Sequence, residues 1–244
     1  MVSRRLKPLR RGYSEAPNSS DRLGVGIFAF GSGVHHTPGV NFLAHLYLSE
    51  PTPASMVGNL LPDLVPGAVS PTLHPEVLAG TVNHKRVDAF TDTHPVFARS
   101  RARLRDRHGR YSAILTDMFY DHVLAKRWDR YHDMPLSDFI DQAYARLAEG
   151  VGYMPDPMPA ITGRMIEQDW LGAYETSEGM RRVLKMMSVR FSKRLGRPVR
   201  LDHAVEDLVA KGSEFEEDFH AFFMELTVYM KRPSLALTDT TTSQ

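Results

Sequence analysis

The chain of 244 residues contains no cysteine. Disulfide bonds, zinc–thiolate sites, iron–sulfur clusters and cysteine nucleophiles are therefore excluded. The absence is compatible with a reducing compartment, and we expect the protein to be cytoplasmic. A metal site in this chain has to be built from oxygen and nitrogen ligands, which favours manganese, magnesium or iron.

The sequence also lacks long apolar runs and a strong net charge. No stretch approaches the run of about 18 apolar residues that a membrane span needs. The formal net charge is +1, which gives no general attraction to nucleic acid or to a membrane, and we expect neither as a partner. Charge is nevertheless uneven, since residues 181–200 contain eight Lys or Arg and no acid.

The two ends of the chain differ in composition from the middle. A basic start is followed by an apolar run, 23–34, that four glycines interrupt and that no clean cleavage site follows. We therefore expect residues 1–39 to be a disordered extension, with Val40 as the true start. The polar tail, residues 232–244, is also expected to be disordered.

Between residues 40 and 231 the apolar pattern is mostly helical, and no convincing pair of strands is present. This pattern predicts a single all-α domain. Asn41–Leu48 fits a helix or a buried strand equally well. Pro62 is expected to end a short helix that starts near Ala54, and Pro75 to open a helix that runs to about Asp92. Asp202 is expected to cap one last long helix.

Two short segments place imidazoles and carboxylates one helical turn apart in apolar surroundings. His84, Asp88 and Asp92 are spaced four residues apart and so share a helix face, as do Asp117 and Asp121. Burying such groups without partners costs several kcal/mol each. They must therefore be paired, solvated or bound to metal.

Each candidate also has an ordinary interpretation. A lone histidine in an apolar stretch, such as His45, is more often a core residue, and Asp63 after a proline often caps or turns the chain. His84 with Asp88 is also typical of a surface pair. Their combination favours a metal cluster built from some of the residues between positions 45 and 122, and it points to metal-assisted hydrolysis. The candidates are His45, Asp63, His84, Asp88, Asp117, Asp121 and His122.

Four separated motifs resemble the acyl carrier protein phosphodiesterases. They are Asn-Phe-Leu-Ala-His-Leu from position 41, Gly-Asn-Leu-Leu-Pro-Asp from 58, His-Lys-Arg-Val-Asp from 84 with Thr91-Asp92, and Asp-His-Val-Leu-Ala from 121 with Trp128. The resemblance covers residues 40–231. It implies an all-helical, circularly permuted variant of the HD phosphohydrolase domain and a divalent metal, with manganese expected and magnesium or iron as alternatives. The implied reaction removes the 4′-phosphopantetheine arm from a serine of holo acyl carrier protein.

The same resemblance implies roles for individual residues. The expected metal ligands are Asp63, His84, Asp121 and His122, with His45 as a further ligand or as a group behind the ligands. Asp88 or Asp117 is expected to orient water or hold a histidine, and Lys85 and Arg86 to bind the phosphate. The adjacent pair reads Asp-His where the usual HD domain has His-Asp, so which of the two binds metal stays open.

The basic segment has a use in the same picture, because acyl carrier proteins are small and acidic. The residues expected to attract the carrier are Arg181, Arg182, Lys185, Arg190, Lys193 and Arg194. The ordinary alternative is a solvated helix end. Two further functions remain open: an HD-type phosphohydrolase acting on a nucleotide such as a guanosine polyphosphate, and a helical module that binds an acidic partner without chemistry.

Overall fold

The computed structural model describes residues 41–232, apart from the side chain of Arg194. Over this range the chain forms ten α-helices joined by short loops and 3-10 turns, and no strand. The helices are α1 (Phe42–Tyr47), α2 (Pro53–Leu64), α3 (Pro75–Thr93), α4 (Pro95–His108), α5 (Ser112–Lys126), α6 (Leu136–Glu149), α7 (Met158–Glu167), α8 (Ser177–Leu195), α9 (Ala204–Ala210) and α10 (Gly212–Met230).

The all-α prediction is confirmed for this range, whereas the relation to a permuted HD domain stays a prediction. The disorder expected for residues 1–39 and 232–244 concerns segments that, apart from Arg232, lie outside the described residues. None of the described helices is long and apolar enough to cross a membrane.

α5 runs through the core of the domain and packs on α10. Met118, Phe119 and Leu124 of α5 are fully buried, and Phe119 meets Phe215 edge to face at a ring-centroid distance of 5.1 Å. The single last helix expected from Asp202 is wrong, because the chain forms α9 and then α10, with a break at Lys211. Segment 41–48, for which the sequence left helix and strand open, forms α1.

α2 and α3 approach each other backbone to backbone at two glycines. A Cβ atom added to Gly80 would lie 2.5 Å from the carbonyl oxygen of Ser55 and 2.9 Å from the Cα of Gly58. Only residues without side chains fit at this crossing. The contact brings the second half of α2, with Asn59 and Asp63, against the middle of α3.

The expected end of α2 at Pro62 is wrong, since the helix continues to Leu64. Proline removes one backbone donor and normally breaks a helix interior. Here Leu60, Leu61 and Leu64 are fully buried, and the amide of Val65 still donates to the carbonyl of Leu61 at 2.9 Å. Tertiary burial of this last turn therefore outweighs the local cost, and it keeps Asp63 on a helix.

Candidate metal centre

His45 lies on α1 in the interior, with no exposed surface. Neither of its ring nitrogens makes a hydrogen bond. Nε2 lies 3.4 Å from Oδ1 of Asp88, without hydrogen-bonding geometry. Buried imidazoles normally have partners, so this ring is short of one that a cation would supply.

His84 on α3 is oriented by the backbone of α2. Its Nδ1 lies 2.8 Å from the carbonyl oxygen of Asn59, and because a carbonyl only accepts, we assign the ring hydrogen to Nδ1. Nε2 then faces two carboxylates, Oδ2 of Asp88 at 3.0 Å and Oδ1 of Asp63 at 3.7 Å. A carbonyl partner behind the ring is the usual way in which a protein aims a histidine at a metal.

The three side chains converge on one point. One ligand atom from each of His45, Asp63 and His84 lies within 4.8 Å of the others, and the two imidazole rings stack at a centroid distance of 4.1 Å. Among the described residues this is the one group of three or more histidines and carboxylates with such spacing. Two imidazole nitrogens and a carboxylate oxygen form a donor set that suits a divalent transition metal.

The electrostatics of the two histidines differ. Burial lowers the pKa of His45, and the neighbouring His84 ring lowers it further. Burial also lowers the pKa of His84, but the hydrogen bond to Asp88 and the charge of Asp63 outweigh it, so the pKa of His84 is raised. The surroundings therefore favour the neutral form of the His45 ring and the protonated form of the His84 ring.

Carboxylates exceed cationic groups around this point. Asp117 is only partly exposed, and burial raises its pKa well above the ordinary value, with the charges of Asp88, Asp63 and Asp92 adding to the effect. Asp88 remains partly open to solvent, with 17% of its side chain exposed. The surplus of negative charge favours a bound cation.

Asp121 is not one of the three converging residues. Its two carboxylate oxygens accept the backbone N–H groups of Leu43 and Ala44, both at 2.9 Å. These are the second and third residues of α1, so Asp121 caps this helix from a distant position in the sequence. Burial raises the pKa of Asp121, these two hydrogen bonds oppose the rise, and the charge of Asp63 adds to it. The observed contacts are those of a group that holds α1, and with it His45, in place.

His122 also lies apart from the three converging residues. Its Nδ1 is 2.7 Å from the carbonyl oxygen of Tyr174, in the 3-10 turn Gly172–Glu175. Burial lowers the pKa of His122. Consecutive residues on a helix point about 100° apart, so the structure directs the two members of the Asp-His pair to different neighbours.

Lys85 and Arg86 do not join the cluster either. Lys85 is exposed. The guanidinium group of Arg86 donates to the carbonyl oxygen of Arg232 at 2.7 Å and lies over the ring of Tyr229 at 5.4 Å. Arg86 therefore binds the end of α10, and the phosphate-binding role of Lys85 and Arg86 stays a prediction.

Asn59 and Asn83 are site residues that the sequence reasoning missed. Asn59 has no exposed surface, and its side-chain oxygen accepts from Nδ2 of Asn83 at 2.9 Å. Asn83 donates in turn to the carbonyl oxygen of Leu48 at 3.0 Å. The two amides join α2, α3 and the end of α1 around His84. An asparagine inside the apolar run of the second motif was the available signal.

The residues expected to bind an acidic partner lie on α8. Arg181, Arg182, Lys185, Arg190 and Lys193 are exposed, and the side chain of Arg194 lies outside the described part of the structure. Arg190 lies over the ring of Trp170 at 5.4 Å. Although Arg190 reaches solvent, partial desolvation by its neighbours lowers its pKa, and the charge of Arg164 lowers it further.

The fold and the site together define an all-helical protein with a buried histidine–aspartate cluster fit to hold a cation. The family model for acyl carrier protein phosphodiesterase matches residues 40–226, and the chain belongs to that family. It is 30% identical over 197 residues to an acyl carrier protein phosphodiesterase of Pectobacterium atrosepticum, covering 80% of this chain and all of that protein.

Two other relatives bear the same name. The protein of Yersinia pestis is 33% identical over 155 residues, with 63% of this chain and 80% of that protein covered. The protein of Photorhabdus laumondii is 31% identical over 192 residues, with 78% and 93% covered. No solved structure matches this chain significantly.

Proposed function

We propose that this protein hydrolyses the phosphodiester that joins 4′-phosphopantetheine to a serine of holo acyl carrier protein. Water adds to phosphorus, the bond between phosphorus and the serine oxygen breaks, and that oxygen takes up a proton. The products are apo carrier and free 4′-phosphopantetheine. Support comes from the family match over residues 40–226 and from the names of the relatives.

The observation that carries the proposal is the convergence of His45, Asp63 and His84. Their ligand atoms lie within 4.8 Å of one another, and His45 is buried without a hydrogen bond. This donor set fits a divalent metal, and we propose manganese, with magnesium or iron as alternatives. When bound, the metal would neutralise charge on the phosphoryl oxygens and lower the pKa of a water molecule.

Asp88 is the residue we propose as the acceptor of the proton from the attacking water. Its carboxylate lies 3.0 Å from Nε2 of His84 and 3.4 Å from Nε2 of His45. Its side chain is more exposed than those of His45, Asp63 and His84. A carboxylate that borders the cluster and also reaches solvent suits this task. Asp117 is also proposed to orient the water, because it lies on α5 one turn before Asp121 and its side chain is only partly exposed.

Asn59 is proposed as a positioning residue. Its backbone carbonyl oxygen accepts a hydrogen bond from Nδ1 of His84, and this bond directs Nε2 of His84 toward the cluster. The Asn59–Asn83 hydrogen bond fixes the distance between the two helices that carry Asp63 and His84. A cytoplasmic location stays a prediction.

The test is intact-mass spectrometry of holo acyl carrier protein incubated with this protein and manganese. We expect the carrier to lose about 340 Da, and a chelator to abolish the loss, because a metal site performs the hydrolysis. Asp63→Asn should abolish it as well. The matched control is Asp106→Asn, which changes an exposed carboxylate on α4 and should leave the reaction intact.

Two results would contradict the proposal. If the folded, metal-loaded protein leaves the carrier mass unchanged, the carrier is not the substrate, and nucleotides become the next substrates to assay. If no metal binds and no mass changes, a helical module that holds an acidic partner is the better description. Metal content is measured on the same samples.

A further inference from the structure

The outer face of α8 combines exposed apolar side chains with positive charge. Arg182, Met186, Val189 and Lys193 follow one another at helical spacing and so share one face. Val189 is 64% exposed and Met186 is 37% exposed. We call these four residues the α8 stripe. Exposed apolar side chains between two cations are typical of a surface that another protein covers.

Positive charge surrounds the α8 stripe. Arg181 and Lys185 lie beside it and are exposed, and no acid occurs between Glu178 and Asp202. Glu178 approaches Arg181 only to 4.0 Å, with both side chains largely exposed, which is a weak surface contact. A surface of this kind complements an acidic partner that carries some apolar groups.

The α8 stripe belongs to a helix that is linked to α1 through two aromatic rings. Arg190 of α8 lies over the ring of Trp170, and this ring stacks with Phe42 at a centroid distance of 6.3 Å. Phe42 opens α1, the helix that carries His45. The rings of Trp170 and Phe42 thus link α8 to the helix that supplies one of the three converging side chains.

The proposed reaction places a demand on the docking surface. The scissile phosphate is attached directly to a serine of the carrier, so the carrier surface itself must reach the metal centre. A docking surface far from the cluster would not allow this. We propose that the α8 stripe, with Arg181 and Lys185, binds the acidic surface of the carrier protein and presents the serine to the cluster. This inference rests on the proposed function and names the surface that selects its substrate.

The experiment measures the affinity of the full chain for holo acyl carrier protein in a chelator, where turnover is not needed. The charge test is the double variant Arg182→Glu, Lys185→Glu. Its matched control is Arg101→Glu, Arg105→Glu, which makes the same change in net charge on exposed residues of α4. We expect the dissociation constant to rise about tenfold or more for the α8 variant and less than about twofold for the control.

The apolar test is Val189→Asp, with Val228→Asp as control because Val228 is also exposed, on α10. We expect a similar loss of affinity for Val189→Asp alone. In the wild type, added salt should weaken binding, and it should weaken the double α8 variant less, because screening acts on charges that this variant no longer has. Circular dichroism and thermal unfolding establish that all four variants fold.

The outcomes separate this inference from the proposed function. If the wild type removes 4′-phosphopantetheine but the α8 variants bind the carrier as tightly as the controls, the docking surface is wrong and the function stands. If the carrier binds through α8 and loses no mass with manganese present, the docking surface stands and the function is wrong. If a DNA oligonucleotide binds to α8 and the carrier does not, the proposed partner is wrong.

Discussion

Two sets of buried carboxylates in this protein have opposite surroundings. Asp218 on α10 accepts hydrogen bonds from Arg99 at 2.9 Å, Ser100 at 2.8 Å and Arg103 at 3.2 Å. Asp63 on α2 faces the imidazole of His84 at 3.7 Å. Burial raises the pKa of Asp117 nearby, and the charges of Asp88 and Asp63 raise it further.

The surroundings of Asp218 and Asp63 show how a structural ion pair can be told from a ligand site. At Asp218, guanidinium groups and a hydroxyl group satisfy the charge, and the pair joins α4 to α10. Around Asp63, negative charge is in surplus and His45 has no hydrogen-bond partner. A buried carboxylate paired with guanidinium groups indicates a structural role, whereas several acids gathered around a histidine that lacks a hydrogen bond indicate a place for a bound cation.

The largest expected effect is on activity, and it should distinguish the acids around Asp63 from Asp218. Asp63→Asn should reduce turnover of the carrier by roughly a thousandfold, because it removes a ligand that would hold the catalytic charge. The free energy of unfolding without metal should change little, since the substitution removes one of several like charges. Steady-state kinetics and urea unfolding measure the two quantities. A large loss of stability with normal turnover would make Asp63 a structural residue like Asp218.

The α2–α3 contact is expected to be the most sensitive packing contact of the site region. Gly80→Ala would place a methyl group 2.5 Å from the carbonyl oxygen of Ser55. We expect the free energy of unfolding to fall by about 3 kcal/mol, because two helix backbones have to move apart. Manganese affinity should fall as well, since Asp63 and His84 separate.

Gly163→Ala on α7 is the control for this prediction, since no atom lies within 4 Å of its added methyl group. This variant should be unchanged or slightly more stable, because alanine favours a helix. Equal stability of both variants would mean that the two helices are not in close contact. Calorimetric unfolding of the two proteins decides between these outcomes.

Asp218→Asn should lower stability and leave activity unchanged, the reverse of what we expect for Asp63→Asn. We expect a loss of about 2 kcal/mol in the free energy of unfolding, somewhat less than for a fully buried pair, because Arg99 is 55% exposed. Turnover by the folded protein should stay normal, because Asp218 lies away from the cluster. A loss of turnover that stability does not explain would contradict the structural role.

The pH dependence of stability should follow the same residue. Burial raises the pKa of Asp218, but hydrogen bonds from Arg99 and Ser100 outweigh it and hold the pKa below its ordinary value of 3.8. The folded state therefore binds fewer protons than the unfolded state in this range. The contribution is fully present above the ordinary value and is lost as the pH falls through the lowered one. The free energy of unfolding, measured by urea at several acid pH values, should fall less steeply with decreasing pH for Asp218→Asn than for the wild type.

The smallest expected effect concerns Asp121, which has a structural role, like Asp218, but positions a residue of the cluster. Asp121→Asn keeps one acceptor for α1 and removes one charge. We expect a loss of about 1 kcal/mol in the free energy of unfolding and roughly tenfold weaker manganese binding, as for a residue that positions a ligand. Metal titration of the variant measures the second effect. A loss of binding as complete as in Asp63→Asn would make Asp121 a ligand.

Local signals predicted the parts of the fold that local physics controls. Pro75 opens α3, which ends at Thr93, one residue beyond the predicted end at Asp92. Pro62 misled the same reasoning, because the burial of Leu60, Leu61 and Leu64 is a tertiary effect that outweighs a lost hydrogen bond. The break at Lys211 between α9 and α10 also had no signal in the apolar pattern.

The candidate site divides in the same way. His84 and Asp88 lie one turn apart on α3 and meet at 3.0 Å, as helical spacing predicts. Residue pattern and family resemblance both made Asp121 and His122 candidate ligands, whereas their observed contacts are with the backbone of α1 and with Tyr174. The asparagine in an apolar run could have marked Asn59, but the contact of its backbone carbonyl with His84 depends on how α2 packs on α3.

Residue types and their spacing are enough to predict a helical chain without thiolate ligands that carries the motifs of its family. They do not predict which of the seven candidate side chains converge, because that depends on how the helices pack. The convergence depends on the close approach of Gly58 to Gly80 and on the contact of Asp121 with α1, which join residues far apart in the chain. Helical periodicity is a property of neighbouring residues, whereas a site built from α1, α2 and α3 depends on how their surfaces pack.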